Sequence, residues 1–168
     1  MLLRWLTSLT LLWLASTAAF SSPEQFLRDY INNHQDAQLA LLEKLVNINS
    51  GTTHLEGVHE VGDILRAELI QLGFKTQWIP EPPAMHRAGT LIAERTGNQG
   101  KHILLIGHLD TVFPQTSSFQ TFKRNGDWAM GPGVIDDKGG DVVILCALKA
   151  LQAMHALEGT TIDIDQFF

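Results

Sequence analysis

Apolar residues in this chain follow two repeating patterns, one typical of helices and the other of strands. Spacings of three and four residues, as at Val58, Val61 and Leu65, predict amphipathic helices. Ser22 followed by Pro23 has the form of an N-cap, so a helix should begin there. The predicted helices cover residues 23–33, 37–46, 56–72 and 140–156.

Shorter apolar runs between these helices predict strands. The run from Ile103 to Ile106 is bounded by Lys101 and Gly107, which indicates a central strand buried on both faces of a sheet. Strands interleaved with helices are typical of an α/β fold. The predicted strands of the sheet cover residues 74–79, 90–94, 103–106 and 160–164.

A β-hairpin is predicted between the central strand and the last helix. Asn125-Gly126 is a strong turn signal between two short runs that contain aromatic residues. Phe119, Phe122 and Trp128 should cover one face of this hairpin.

The residues directly after the central strand are candidates for chemistry. His108 and Asp110 follow the apolar run, and ligands gather beyond the carboxyl ends of strands in open α/β sheets. Residues two apart in extended backbone point to the same side, so Asp110 can reach the ring of His108. A carboxylate that holds a histidine through its second nitrogen is the arrangement of a metal-ligating histidine. The alternative is a strand-end histidine with a convenient partner.

Asp136 lies in a glycine-rich loop just before the last helix, where the helix dipole stabilises the anion. Its two oxygens can bridge two cations about 3.5–4 Å apart, the spacing of two-metal hydrolases. A nucleotide-binding module is the competing hypothesis for such a loop. The dinucleotide pattern requires a third glycine three residues after Gly133, however, and Asp136 occupies that position.

Two motifs together, HLDTV from His108 and GPGVIDDKGG from Gly131, resemble the di-zinc metallopeptidase family of glutamate carboxypeptidases, aminoacylases and related deacylases. The carboxypeptidase G branch is the most similar, and LEKLVNINSGT and AELIQLGF extend the resemblance. The resemblance implies a three-layer α/β/α catalytic domain with two zinc ions. It also implies hydrolysis of an amide bond next to a free carboxylate, in a small peptide or an N-acyl amino acid.

The resemblance assigns roles to three residues. The counterpart of His108 binds one zinc and that of Asp136 bridges both, while Asp110 is the catalytic residue that orients the histidine. The peptide bond between Asp136 and Asp137 is expected to be cis, as in relatives.

Other parts of the family's machinery have no counterpart in this sequence. A Glu-Glu pair should follow the strand that starts at Thr160, but the chain continues with Asp163 and Asp165 and ends at Phe168. Intact relatives also dimerise through an inserted domain that has no counterpart here. We therefore expect residues 23–168 to be the N-terminal half of a catalytic domain, inactive alone and at most a weak binder of zinc. The alternative is a truncated, non-catalytic remnant that keeps part of the metal site but no general base.

The first 22 residues have the composition of a secretory signal peptide. Arg4 precedes an apolar run from Trp5 to Ala15, which is too short to span a bilayer, and small residues follow at Ala18-Ala19. The protein is therefore expected to be periplasmic or secreted, with no membrane association after cleavage. An uncleaved N-terminal anchor is the alternative.

The charge of the chain is acidic. Its formal net charge is −6, and removal of Arg4 with the leader would leave 11 basic against 18 acidic residues, or −7. Such a balance without basic runs argues against nucleic acid or an anionic membrane as a partner. Cys146 cannot form an internal disulfide because it is the single cysteine, and its place in an apolar helix favours a buried thiol.

Overall fold

The computed structural model describes residues 22–167. The predicted signal peptide, apart from Ser22, and the last residue lie outside this range. The helices are α1 (Pro23–Asn33), α2 (Gln35–Val46), α3 (Leu55–Gln71) and α4 (Lys138–Ala153), and a 3-10 turn covers Pro83–Met85. The strands are β1 (Lys75–Ile79), β2 (Thr90–Arg95), β3 (Gln99–His108), β4 (Lys123–Asn125), β5 (Trp128–Met130) and β6 (Thr160–Phe167).

The helix ends follow local rules that the sequence displays. Ser22 caps α1, because its hydroxyl accepts a hydrogen bond from the backbone N–H of Gln25 at 3.2 Å. The Gln25 side chain donates to Asp29 instead of returning to the cap, so only half of the reciprocal capping box forms. Helix α3 ends before Gly73, whose φ of +83° is accessible to glycine without strain.

Four strands form one mixed sheet in the order β1-β2-β6-β3. Strands β1 and β2 pair antiparallel, as do β2 and β6, whereas β3 runs parallel to β6. Ile162 and Ile164 on β6 and Ala93 on β2 point to the same face, where they form one hydrophobic core with apolar residues of α2, α3 and α4. The described residues therefore cover one face of the sheet with helices, giving two of the three expected layers.

The prediction that residues 103–106 are buried on both faces in a central strand is wrong. Strand β3 is the edge strand of the sheet within residues 22–167, since β6 is its only neighbour there. Leu104 and Ile106 are 54% and 60% exposed, and they pair with Asp163 and Asp165 on the face opposite the helices. A continuous apolar run indicates a strand, but strand order decides whether that strand is covered.

Element boundaries also differ from the predictions, most clearly in β3, which covers Gln99–His108 and not only residues 103–106, and in α4 and β6. Helix α4 begins at Lys138 and ends at Ala153, and Val143 on it is 67% exposed, whereas Val142, Leu145 and Leu148 are buried. Strand β6 runs past the predicted end at residue 164, as far as Phe167.

The predicted hairpin is present, but its turn lies one residue later than predicted. Strands β4 and β5 pair through Asn125 and Trp128, so Gly126 and Asp127 form the turn. Trp128 is 79% exposed and covers no hairpin face, whereas the ring of Phe119 packs against Phe113 at a centroid distance of 5.0 Å. In the part of the chain that the structure describes, no helix has the length and apolar character needed to cross a membrane.

Candidate metal centre

The structure brings His108 and Asp136 into contact. His108 is the last residue of β3, and Asp136 lies two residues before α4, which packs against the sheet beside β3. The His108 Nε2 atom is 2.8 Å from the Asp136 Oδ1 atom. The Asp136 side chain is 81% exposed, so this pair lies open to solvent at the carboxyl end of the parallel strand.

Asp110 lies behind His108, on the other ring nitrogen. Its Oδ1 atom is 3.1 Å from His108 Nδ1, and its second carboxylate oxygen accepts a hydrogen bond of 2.5 Å from the hydroxyl of Thr52. Nδ1–H donates to Asp110, and in the protonated ring Nε2–H donates to Asp136. A cation that displaced the proton on Nε2 would find the lone pair of that nitrogen directed toward Asp136.

The segment after α2 positions Asp110. Thr52 donates its backbone N–H to the Thr111 carbonyl at 3.0 Å, and Thr111 donates to the Ser50 carbonyl at 2.8 Å. These bonds tie the residues that follow β3 to a loop about 60 positions earlier in the chain. Thr52 belongs to the NSGT stretch of the sequence, but no local pattern there indicates which carboxylate it contacts.

The charges around His108 favour its protonated form. Burial alone would lower the pKa of the imidazole, but the hydrogen bond to Asp136 and the negative charges of Asp110, Asp136 and Asp137 outweigh it and raise the pKa. Burial also raises the pKa of the Asp137 carboxyl. A cation held at this place would meet the same negative charges.

The loop that carries Asp136 is closed by backbone contacts. Gly139 donates its N–H to the Gly133 carbonyl at 3.1 Å, and Gly133 has a φ of +80°, which a residue with a side chain rarely adopts. The peptide bond between Asp136 and Asp137 is cis, as the resemblance implied.

Lys138 supports this loop from inside the protein, a role that the sequence did not reveal. The residue is fully buried, and its ammonium donates to the carbonyl oxygens of Leu45 at 2.9 Å and Ile48 at 2.7 Å. Burial lowers the pKa of Lys138 to about 8, against a weaker opposing effect of Asp141. Because the last carbonyls of a helix have no partner within it, Lys138 joins the end of α2 to the start of α4.

Asp141 is a second buried charged residue that sequence patterns did not single out. It lies in the first turn of α4 with 1% of its surface exposed, and within residues 22–167 no hydrogen bond of ordinary geometry reaches either of its carboxylate oxygens. Burial and the charge of Asp137 raise its pKa to about 8, although His108, the Gln166 amide and Lys138 oppose this.

Gly107 provides the space that Asp141 occupies. A Cβ atom on Gly107 would lie 2.7 Å from both the Asp141 Oδ1 atom and the Gln166 Oε1 atom. Two buried acceptor oxygens therefore converge on one point beside His108. A proton on Asp141 would allow its hydroxyl to donate to the Gln166 oxygen.

A pocket of about 400 Å³ extends from the His108–Asp136 pair. Its walls come from the segment after β3, from β5 and from the loop before α4, and they are mostly apolar. In the sequence, this pocket is visible only as apolar residues scattered around the two motifs. Their spacing predicts no single helix or strand. The apolar lining residues are Val112, Phe113, Phe119, Ala129, Met130, Val134 and Ile135.

The site offers two donors to a metal. Among the residues that the structure describes, no group of three or more His, Cys, Asp or Glu side chains is arranged to hold a metal ion. His102 is paired elsewhere, with Asp163 at 2.6 Å, on the exposed face of the sheet. A catalytic zinc usually has three protein ligands and a water molecule, so two donors are fewer than such a set requires.

A mixed α/β sheet with a histidine and carboxylates at the end of a parallel strand is an arrangement typical of α/β hydrolases that use a metal. A family model described as Peptidase family M20/M25/M40 matches residues 104–164, which run from within β3 to within β6. This match supports the resemblance to the M20 metallopeptidases that the HLDTV and GPGVIDDKGG motifs indicated.

The chain is also similar to individual proteins, one in sequence and two in fold. Carboxypeptidase G2 of Pseudomonas sp. (strain RS-16) is 36% identical over 153 residues, which is 90% of this chain and 37% of the relative. Human carnosine dipeptidase 1 superposes with a TM-score of 0.72 at 18% identity, covering 87% of this chain and 34% of that chain. The M20 family metallo-carboxypeptidase Sso-CP2 of Sulfolobus solfataricus superposes with a TM-score of 0.65 at 19% identity, covering 77% of this chain and 30% of that chain. This chain thus spans about a third of the length of these relatives.

Proposed function

We propose that this chain supplies part of the active site of a zinc-dependent carboxypeptidase or amidohydrolase, which cleaves an amide bond next to a free carboxylate. The observation that carries the proposal is the contact of 2.8 Å between His108 Nε2 and Asp136 Oδ1, with Asp110 on the opposite ring nitrogen. The similarity to carboxypeptidase G2 supports a carboxypeptidase lineage. In the proposal the substrate is a small peptide or an N-acyl amino acid.

The donors present fit zinc in kind. Zinc in proteins is bound by imidazole nitrogen and carboxylate oxygen, and the described residues offer one of each at a solvent-accessible place. In the proposal His108 and Asp136 are the metal ligands. The chemistry that zinc supplies in such sites is polarisation of a carbonyl group and activation of a water molecule.

The remaining residues have positioning roles. Asp110 holds the imidazole in the tautomer that presents Nε2, and the Thr52 hydroxyl fixes the rotation of the Asp110 carboxylate. Lys138 anchors the loop that carries Asp136 to the end of α2. These contacts hold His108 and Asp136 in place before a metal binds, and this preorganisation raises the affinity for zinc.

Two donors are fewer than a catalytic zinc requires, so further ligands and a general base would have to come from outside the described residues. The second candidate function is therefore a non-catalytic metal-binding remnant. Both candidates predict that the purified chain alone releases no glutamate from N-acyl glutamates in the presence of zinc. Release that His108→Ala abolishes would show that the residues of this chain suffice for catalysis and that the remnant hypothesis is wrong.

A zinc titration by calorimetry tests the donor assignment itself. Wild type should bind zinc weakly, and both His108→Ala and Asp136→Ala should lose most of this binding. His102→Ala is the matched control, because it removes another histidine of β3 that is also paired with an aspartate. Equal binding by all four proteins would exclude His108 and Asp136 as the ligands.

Export is a separate part of the proposal, carried by Arg4 and the apolar run after it. Mass spectrometry of secreted or periplasmic protein should find a mature N-terminus between Phe20 and Pro23. A soluble cytoplasmic product that keeps Met1 would contradict it.

A further inference from the structure

Two polar side chains occupy positions in the core where the surrounding pattern is apolar. Asp141 lies one turn before Leu145 on the buried stripe of α4, and Gln166 follows Ile164 by two residues on the inward face of β6. Asp141 is 1% exposed and Gln166 is 3% exposed. This burial is complete within residues 22–167, so it does not depend on any other part of the protein.

The two side chains face each other beside Gly107. A Cβ atom on Gly107 would lie 2.7 Å from Asp141 Oδ1, 2.7 Å from Gln166 Oε1 and 2.9 Å from Gln166 Nε2. An amide carries donors on one side and an acceptor on the other. The Gln166 amide can therefore donate to the Asp141 carboxylate or, turned by half a rotation, accept the proton of the carboxyl group. The two groups can satisfy each other in either protonation state, as buried polar groups require.

Each member of this pair is joined to one candidate zinc ligand by a short stretch of backbone. Gln166 lies in β6 opposite the residue that precedes His108 in β3. Asp141 donates its backbone N–H at 2.9 Å to the carbonyl of Asp137, the residue that follows Asp136. A contact between the side chains of Asp141 and Gln166 therefore ties the segment that carries Asp136 to the strand that carries His108.

A polar pair does at this place what an apolar pair does not. Apolar contacts have no preferred direction, whereas a hydrogen bond has a narrow range of length and angle. A single buried asparagine in a coiled coil fixes the register of two helices in this way. The corresponding register here is that of the first turn of α4 along the sheet. The distance of 2.8 Å between His108 Nε2 and Asp136 Oδ1 depends on that register.

We propose that Asp141 and Gln166 are positioning residues, which hold the start of α4 against the end of β3 and so bring Asp136 to His108. Neither residue contacts the metal in this proposal. The inference rests on the proposed function only in taking His108 and Asp136 as the zinc ligands. The contact between these two residues is itself independent of zinc.

Amide hydrogen exchange of the zinc-free chain tests the positioning without the metal. The Gly139 N–H donates to the Gly133 carbonyl at 3.1 Å and closes the loop that carries Asp136, so its exchange reports whether the loop is held. Asp141→Leu keeps the approximate shape of the side chain and removes its polar atoms. It should speed the exchange of Gly139 about tenfold relative to the N–H of Val58 in α3. An unchanged ratio of the two rates would overturn the proposal.

A double substitution separates positioning from stability. Replacing both partners of a buried polar pair by apolar groups can leave stability nearly unchanged, so Asp141→Leu/Gln166→Met should recover the urea midpoint that Asp141→Leu loses. The zinc affinity of the double variant in calorimetry should stay about tenfold below that of wild type, because no directional contact then fixes α4. If zinc affinity recovers together with the midpoint, the pair is merely structural and the proposal is wrong.

An exchange of the two functional groups provides the rescue. Asp141→Asn/Gln166→Glu keeps both side-chain lengths and lets the same hydrogen bond form in reverse, so zinc affinity and Gly139 exchange should return to their wild-type values. Leu148→Ala is the matched control, because it removes apolar atoms from the same buried stripe of α4. It should lower the urea midpoint without changing zinc affinity or the ratio of Gly139 to Val58 exchange. Failure of the rescue, or an equal loss of zinc affinity in the control, would show that the pair has no specific role.

The positioning pair and the metal centre fail separately. Zinc binding that ignores His108, together with faster Gly139 exchange in Asp141→Leu, would leave the pair and remove the metal centre. Zinc binding that depends on His108 but is the same in every folded variant of the pair would leave the metal centre and remove the positioning role.

Discussion

Replacement of Asp141 by asparagine should remove much of the pH dependence of stability of this chain. The carboxyl is 1% exposed, and its pKa rises from the ordinary 3.8 to about 8 because of burial and the nearby Asp137. At about 1.4 kcal/mol for each tenfold change in proton affinity, this corresponds to on the order of 5 kcal/mol. That is comparable with the whole stability of a small domain.

The sign of the effect follows from the direction of the shift. A raised pKa means that the folded state holds the proton more tightly than the unfolded state, so stability is greatest below the unfolded pKa and is lost as the pH rises toward about 8. Between about pH 5 and about pH 7 the unfolded carboxyl is ionised and the folded one is protonated. The free energy of unfolding of wild type should therefore fall by about 3 kcal/mol across that interval from Asp141 alone.

Other titrating groups also change how the free energy of unfolding varies with pH, but they do so in wild type and in Asp141→Asn alike. His108 and Asp137 also have raised pKa values and change stability in the same direction, whereas Lys138, whose pKa is lowered to about 8, keeps its charge over most of this interval. These groups are present in both proteins. The difference between the wild-type and Asp141→Asn slopes therefore isolates Asp141.

Urea denaturation followed by tryptophan fluorescence, at several pH values from about 5 to about 7, measures the slopes. The asparagine amide does not titrate in this range, so the free energy of unfolding of Asp141→Asn should decline much less with rising pH than that of wild type. Asp127→Asn is the control, because Asp127 lies in the exposed turn of the hairpin and should keep the wild-type slope. If Asp141→Asn declines as steeply as wild type, the buried carboxyl is not held in its protonated form and the reasoning is wrong.

Four further predictions concern the surroundings of the candidate metal centre. Lys138→Met should lower the free energy of unfolding by about 1–3 kcal/mol in chemical denaturation, since the carbonyls of Leu45 and Ile48 lose the buried ammonium that donates to both; an unchanged midpoint would contradict this. Gly107→Ala should cost about 1–3 kcal/mol in the same assay, because its Cβ would lie 2.7 Å from two buried side-chain oxygens; a stabilised variant would argue against the crowding. Thr52→Val should weaken zinc binding about tenfold in calorimetry, because Asp110 loses the hydroxyl that holds its carboxylate. The zinc affinity of wild type should fall as the pH decreases through the raised pKa of His108, because the proton competes for the ring. Zinc binding that does not depend on pH would exclude the imidazole as a ligand.

Local patterns were sufficient for most of the secondary structure and for the two main site residues. Helix α3 follows from its apolar spacing and its end from Gly73, because side chains one turn apart must share a face whatever the rest of the fold does. The positions of His108 and Asp136 after a strand and before a helix likewise predicted that they would meet. The inference about α3 depends on residues that are near in sequence. The inference about His108 and Asp136 depends on where each lies at the end or the start of an element.

The sequence by itself therefore determined the elements, the family motifs and the contact of His108 with Asp110, which are two residues apart. Only the tertiary structure decided that β3 is an edge strand, because strand order depends on which non-local pairings the packing allows. It also decided that Thr52 reaches Asp110 and that Lys138 is buried against the end of α2. Charged side chains are normally solvated, and no local pattern shows that burial and a distant carbonyl have replaced that water.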